Sequence, residues 1–452
     1  MDVTLLLQMV GFAILAAIIY TVIGVAPGTD ETATIAPVIL VLVLSGLEPI
    51  LVLTFFMAAI VASKIADSIP VALAGIPGGV MATPQVEHAL ILKKFGLTDV
   101  TIRKMASGSV IGTLVSVPVS LLFAHALVPF ADVIKEYGNS LFFAGAIILA
   151  LISKNRWVAL VSILPFSILI EGLRHLYWDV GVVPKGTNVF ISFFLGITIG
   201  PVIVTLFELL NKEKRDRLER FGKKDIFFRT VKDDGIKANP FTILTKKEIG
   251  FSSLSSAIGS IAFILSPVGL TTFLGELFTS RVKDPVKKAS RAIACMDALA
   301  NATYISGVLI PLIALGIPLS PMAIGPANPL FNAPPVFTID HNLHHVLSNG
   351  EFILATLVGT IVALAITFFL TIKYSRQICI FVFKRVPHEA MLGLFFSLVL
   401  LLAYMDGGWM NVAGVFLVGF VAGVLYRTGV NYGVQFMTLY SAPWIISLFA
   451  KF

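Results

Sequence analysis

The chain has 452 residues, of which 57% are hydrophobic and only 13% charged, with a mean hydropathy of +0.93 and a net charge of +7. A soluble globular chain carries about 25% charged residues, so this composition excludes one, and the basic excess belongs to loops facing the cytoplasm rather than to nucleic-acid binding. The two cysteines, Cys295 and Cys379, have neither metal-ligand spacing nor a disulfide pattern.

The first apolar run, 3–25, has no basic segment before it and leads into Ala26-Pro27-Gly28-Thr29 rather than a cleavage site. It therefore reads as a membrane helix, not a signal peptide. Comparable runs at 189–210, 352–372, 392–405 and 412–426 approach the length needed to cross about 30 Å of hydrocarbon. After the first Pro-Gly come Asp30 and Glu31, for which two readings stand. They bind a coupling cation or proton, because carboxylates inside a membrane are costly unless used, or they cap the next helix at the water surface. Lys64 and Asp67, three residues apart, share a helix face and can neutralise each other.

Residues 69–83 read IPVALAGIPGGVMAT, and residues 310–324 read IPLIALGIPLSPMAI; seven of the fifteen aligned positions are identical, where chance gives about one or two. Pro and Gly inside an apolar segment remove amide donors and break the helix within the membrane. Beyond the first copy lie Lys93, Lys94, Arg103 and Lys104, then four expected spans at 105–131, 139–153, 157–173 and 189–210. The stretch 212–248 carries twelve Lys/Arg against seven Asp/Glu and reads as a cytoplasmic linker between a first repeat, 1–211, and a second, 249–452.

The repetition extends further. Pro27 precedes Pro77 by 50 residues and Pro267 precedes Pro318 by 51, with Thr32 and Thr272 at matching places. No Lys or Arg occurs from 1 to 63 or from 292 to 372, whereas Arg281, Lys283, Lys287, Lys288 and Arg291 lie between the two breaks of the second half. Equivalent loops thus face opposite sides. The expected fold is an all-α polytopic membrane protein with two inverted-topology repeats, broken or re-entrant helices and about 10–14 segments, the architecture of many secondary transporters.

A broken helix leaves unpaired N–H groups that receive an anion, and freed carbonyls that hold a cation with the help of Thr, Ser or Asn oxygens. The substrate-binding candidates are Pro27, Gly28, Thr29, Thr32, Gly75, Pro77, Gly78 and Gly79 in the first half. In the second they are Gly269, Thr271, Thr272, Asn301, Gly316, Pro318 and Ser320. Asp30, Glu31, Asp67 and Asp297 are coupling-ion candidates. Simple helix kinks are the competing reading. Asp340-His341 and His344-His345 resemble a metal site only in composition and read as an exposed loop. No phosphate loop and no nucleophile–base pair appears, so neither catalytic residues nor a cofactor beyond a coupling Na⁺ or H⁺ is expected.

In these motifs the chain resembles the large permease (TctA-like) subunit of tripartite tricarboxylate transporters. SPVGLTTFLGELFTSRVKDPVKK and ALANATYISGVLIPLIALGIPLSP resemble the second-half motifs, and GVAPGTDETATIAP and AGIPGGVMATPQVEHALILKKFG the first-half ones. Asp30-Glu31, Val268 and Leu319 depart from the pattern. The resemblance implies an inner-membrane permease coupled to Na⁺ or H⁺. It implies a small membrane subunit and an extracytoplasmic solute-binding protein as partners. The expected activity is uptake of a small di- or tricarboxylate, in contact with membrane lipid, with no nucleic acid and with a homo-oligomer allowed. A standalone carrier, a receptor or scaffold, an intramembrane enzyme and a lipid flippase are the alternatives.

Overall fold

The computed structural model describes residues 3–26, 31–75, 79–151, 153–185, 189–213, 239–265, 267–385 and 388–449. Apart from two isolated bridges, Ala333 with Phe337 and Thr338 with His341, the regular structure among them is helical. Before the basic linker the chain forms α1 (Val3–Val25), α2 (Glu31–Leu44), α3 (Pro49–Ala66), α4 (Ser68–Ala74), α5 (Val86–Lys94) and α6 (Thr98–Leu127). It continues with α7 (Gly138–Leu151), α8 (Arg156–Asp179) and α9 (Phe190–Leu209). After the linker come α10 (Lys246–Ile261), α11 (Pro267–Thr279), α12 (Pro285–Ile310), α13 (Asn349–Arg385), α14 (His388–Arg427) and α15 (Tyr432–Phe449). α14 is kinked at Gly407 and Gly408.

Seven helical stretches among the described residues are long and apolar enough to cross a membrane, accompanied by shorter apolar ones such as Glu31–Leu44 and Gly138–Leu151. The protein is an all-α, multi-pass membrane protein, as its composition predicts. Of the four spans expected between 105 and 210, those in α6 and α8 reach full length, and the other two are shorter.

Burial separates a centre from a shell. The apolar stretch Pro49–Leu73 is 94% buried and Pro285–Leu315 is 100% buried, whereas the other five are 33–44% buried. α3 and α12 are therefore the central helices, and each runs directly into one of the two Gly-Ile-Pro breaks. The outer helices turn large apolar side chains such as Leu7, Leu122 and Val161 outward, a surface that suits lipid.

Each central helix completes its packing with a helix from beyond the linker. α1 packs along α3, and α13 lies against both; α10 packs along α12, and α6 lies against both. Lipid supplies no hydrophobic drive between helices, so close backbone approach has to hold them together. Gly108 and Gly112 of α6 provide it: a Cβ there would sit 2.3 Å from Ala294 O and 2.2 Å from Ala298 O of α12. At the periphery, α9 and α14 meet in the same way through Gly200 and Gly423.

Because Ala298 O occupies the space of a methyl, Gly112→Ala must part α6 from α12. We expect a loss of about 1–3 kcal/mol, read as a lower thermal-unfolding midpoint of the detergent-solubilised protein. Gly11→Ala meets nothing within 4 Å, gains about 1 kcal/mol of helix propensity, and should not lower that midpoint.

Candidate functional site

The two breaks are built alike. Only Asp67 separates α3 from α4, and its N–H still reaches Ser63 O at 2.9 Å. The first stop comes at Gly75, in the left-handed conformation with φ +71°. After α12, Pro311 cannot donate to the ladder, and residues Pro311–Leu315 widen into a π turn. That turn stops at Gly316, also left-handed, with φ +65°. Only glycine takes this conformation without strain, which is why the repeated motif keeps it. A side chain would also strike Leu90 at Gly75 and His344 at Gly316.

Past Gly316 the chain restarts at Ser320, whose Oγ accepts from Ala323 N at 3.0 Å and donates to Gly307 O. Pro321 stands at the first helical position, where its missing N–H costs nothing. The carbonyls freed by the break have partners: Asn342 Nδ2 donates to Gly316 O at 2.8 Å, and His344 Nδ1 lies 3.0 Å from Leu312 O. The loop that resembled a metal site in composition thus contributes the caps of the second break.

At the first break lies a buried ionic triad. Lys64 Nζ contacts Glu31 Oε1 and lies 2.7 Å from Asp67 Oδ2, and the three residues are 3%, 7% and 4% exposed. Its Nζ also sits 5.4 Å from the centre of the Tyr304 ring, a cation–π contact from α12. Gly79 is pressed against the triad: a Cβ there would be 2.5 Å from Glu31 Oε1 and 3.2 Å from Asp67 Oδ2. The backbone beyond the break can approach these carboxylates only because it carries no side chain.

Glu31 carries the triad to the wall of a cavity of about 940 Å³, which Lys64 and Asp67 back from behind it without lining it. Glu31 and Thr32, at the start of α2, line it, and so do Pro267 and Val268, at the start of α11. Tyr304 and Met322 close it from α12 and the second break, and the exposed Lys154 and Arg427 also line it. The first residues of two helices, one from each side of the linker, therefore line one cavity, at the positive ends of the helix dipoles.

Of the residues expected from sequence, Glu31, Thr32, Asp67 and Gly79 come together here. Gly75, Gly316, Pro318 and Ser320 form the breaks themselves. Asp297 and Asn301 face away into a separate polar cluster with Ser109 of α6. On α11, which also carries Gly269, Thr271 is buried, while its neighbour Thr272 is exposed and bonded to Val268 O at 2.9 Å. Pro27, Gly28, Thr29, Asp30, Pro77 and Gly78 lie outside the described residues. Sequence reasoning passed over Tyr304, Ser109 and Gln85 as site residues. Tyr304 had a signal, standing one helical turn beyond Asn301.

The family model described as tripartite tricarboxylate transporter TctA family matches residues 10–434. No curated protein and no solved structure matches the chain. The family match takes in both breaks and both central helices and ends at the start of α15, and the chain belongs to the tripartite tricarboxylate transporter TctA family.

Proposed function

We propose that the protein is the large permease subunit of a tripartite uptake system, carrying a small carboxylate such as a di- or tricarboxylate in symport with Na⁺ or H⁺. The observation that carries this reading is the cavity lined by the starts of α2 and α11, with Glu31 of the Glu31–Lys64–Asp67 triad in its wall. Helix N-termini favour an anion. Glu31, in the cavity wall, belongs to a cluster of two buried carboxylates and one ammonium, so a cation arriving with the substrate meets a group of net negative charge. Charge placement and the reciprocal packing of α3 with α13 and of α12 with α6 support two inverted repeats, which would rock about the cavity to expose it alternately.

In this reading the breaks bind substrate near the midplane, and the linker at 212–248 faces the cytoplasm of a prokaryotic cell whose inner membrane holds the protein. A small membrane subunit and an extracytoplasmic solute-binding protein complete the system. Substrate delivered by the binding protein enters the cavity from outside.

Purified protein in liposomes, supplied with its partner subunits, is expected to accumulate a di- or tricarboxylate under an imposed Na⁺ or proton gradient. Failure to accumulate any such compound under either gradient would sink the proposal. Lys64→Met strands two carboxylates in the interior, at a cost of about 3–5 kcal/mol. It should lower both the unfolding midpoint and uptake. Adding Glu31→Gln removes one uncompensated charge and should recover part of the midpoint but not the uptake. Equal midpoints for the single and double variants would show that the triad is not coupled as described.

A further inference from the structure

We propose that Asp297, Asn301, Ser109 and Gln85 form a sodium-ion site set apart from the substrate cavity. The proposal takes its transport role from the reading above; the binding of the ion itself does not depend on it.

The cluster joins three elements. Asp297 and Asn301 lie one turn apart on α12, Ser109 lies on α6, and Gln85 ends the turn Val80–Gln85 beyond the first break. All four are buried, none more than 3% exposed. Ser109 Oγ donates to Asp297 Oδ2 at 2.5 Å, Asn301 Nδ2 donates to Ser109 Oγ at 2.6 Å, and the Gln85 side chain lies beside Asp297. The carboxylate thereby fixes which way the Asn301 amide points. With the Ser109 proton committed to Asp297, a reversed Asn301 would set oxygen against oxygen.

With the donors so used, two oxygens remain. Asn301 Oδ1 and Gln85 Oε1 are buried and have no hydrogen-bond partner. No Lys, Arg or His pairs with Asp297 among the described residues. Buried acceptors without donors and a buried carboxylate without a cation each cost free energy. A proton on Asp297 removes the charge but gives the amide oxygens nothing. A water reaches the oxygens but leaves the charge. A small monovalent cation, which takes oxygen ligands, satisfies both. A divalent ion would leave an excess positive charge in an apolar interior.

The second break does not compete for the ion, because Gly316 O and Leu312 O already have partners in Asn342 and His344. The site is also in electrical contact with the triad, whose Asp67 repels the Asp297 carboxylate and whose Lys64 attracts it. A cation at Asp297 offsets the repulsion between the two aspartates, so occupancy here reaches the triad without a shared ligand.

The test uses the purified full-length chain in detergent, with no substrate and no flux. Binding of radiolabelled sodium and thermal unfolding are followed while Na⁺ replaces choline at constant ionic strength. We expect saturable binding and a matching rise in the unfolding midpoint. Asn301→Leu and Gln85→Met should each weaken the apparent affinity by about tenfold or more, Asp297→Asn should abolish saturation, and Asn301→Asp, which keeps the oxygen, should retain it. A wild-type protein without saturable sodium binding overturns the proposal, as do Gln85→Met and Asn301→Leu variants that bind like wild type. Uptake driven only by protons, in a chain that binds no sodium, would overturn it and leave the transport reading standing.

Discussion

An ammonium group in the most deeply buried part of a membrane protein has to bring its counter-charges with it, and Lys64 does so within its own neighbourhood. Asp67 is supplied by the next helical turn, and Glu31 by the first turn of α2. That pairing dictates much around it. The chain beyond the first break must be bare at Gly79 to pass the carboxylates, and Tyr304 of α12 must present its ring to the cation. One buried charge thereby ties α2, α3, the first break and α12 into a single electrostatic unit, which meets the cavity through Glu31 and Tyr304.

The breaks follow a second rule, that backbone groups released from a helix still need partners. Both stop at a left-handed glycine, but they are completed differently. The second is closed by its own chain: Ser320 caps the restarted turn, and Asn342 and His344 take the freed carbonyls. The first presents carboxylates and an ammonium instead. Two copies of one motif thus became a structural closure on one side and a charged wall on the other.

Much of this was legible in the sequence. The paired Gly-Ile-Pro segments announced both breaks, because Pro and left-handed Gly act locally. Apolar run lengths announced the helices for the same reason, and the four motifs gave the family. Helix rotation was not legible: Thr271 and Thr272 are adjacent, yet one is buried and the other exposed, which only tertiary packing decides. Long-range pairing was equally hidden. Ser109 looks like any small polar residue in an apolar helix until α12 brings Asp297 and Asn301 against it. Gln85 falls just after the aligned motif, where pattern matching stops.

The exchange of helices across the linker bears on how the protein is made. α3 is synthesised long before α13, one of the helices that wraps it. Through that interval the central helix has to be sheltered by lipid or by the insertion machinery. The ionic triad needs no such wait, for Glu31, Lys64 and Asp67 all lie on one short stretch and can pair with one another as soon as it is threaded. The charge is thus neutralised first and enclosed afterwards. A lysine that would otherwise oppose entry into the bilayer can enter as part of a nascent ion cluster.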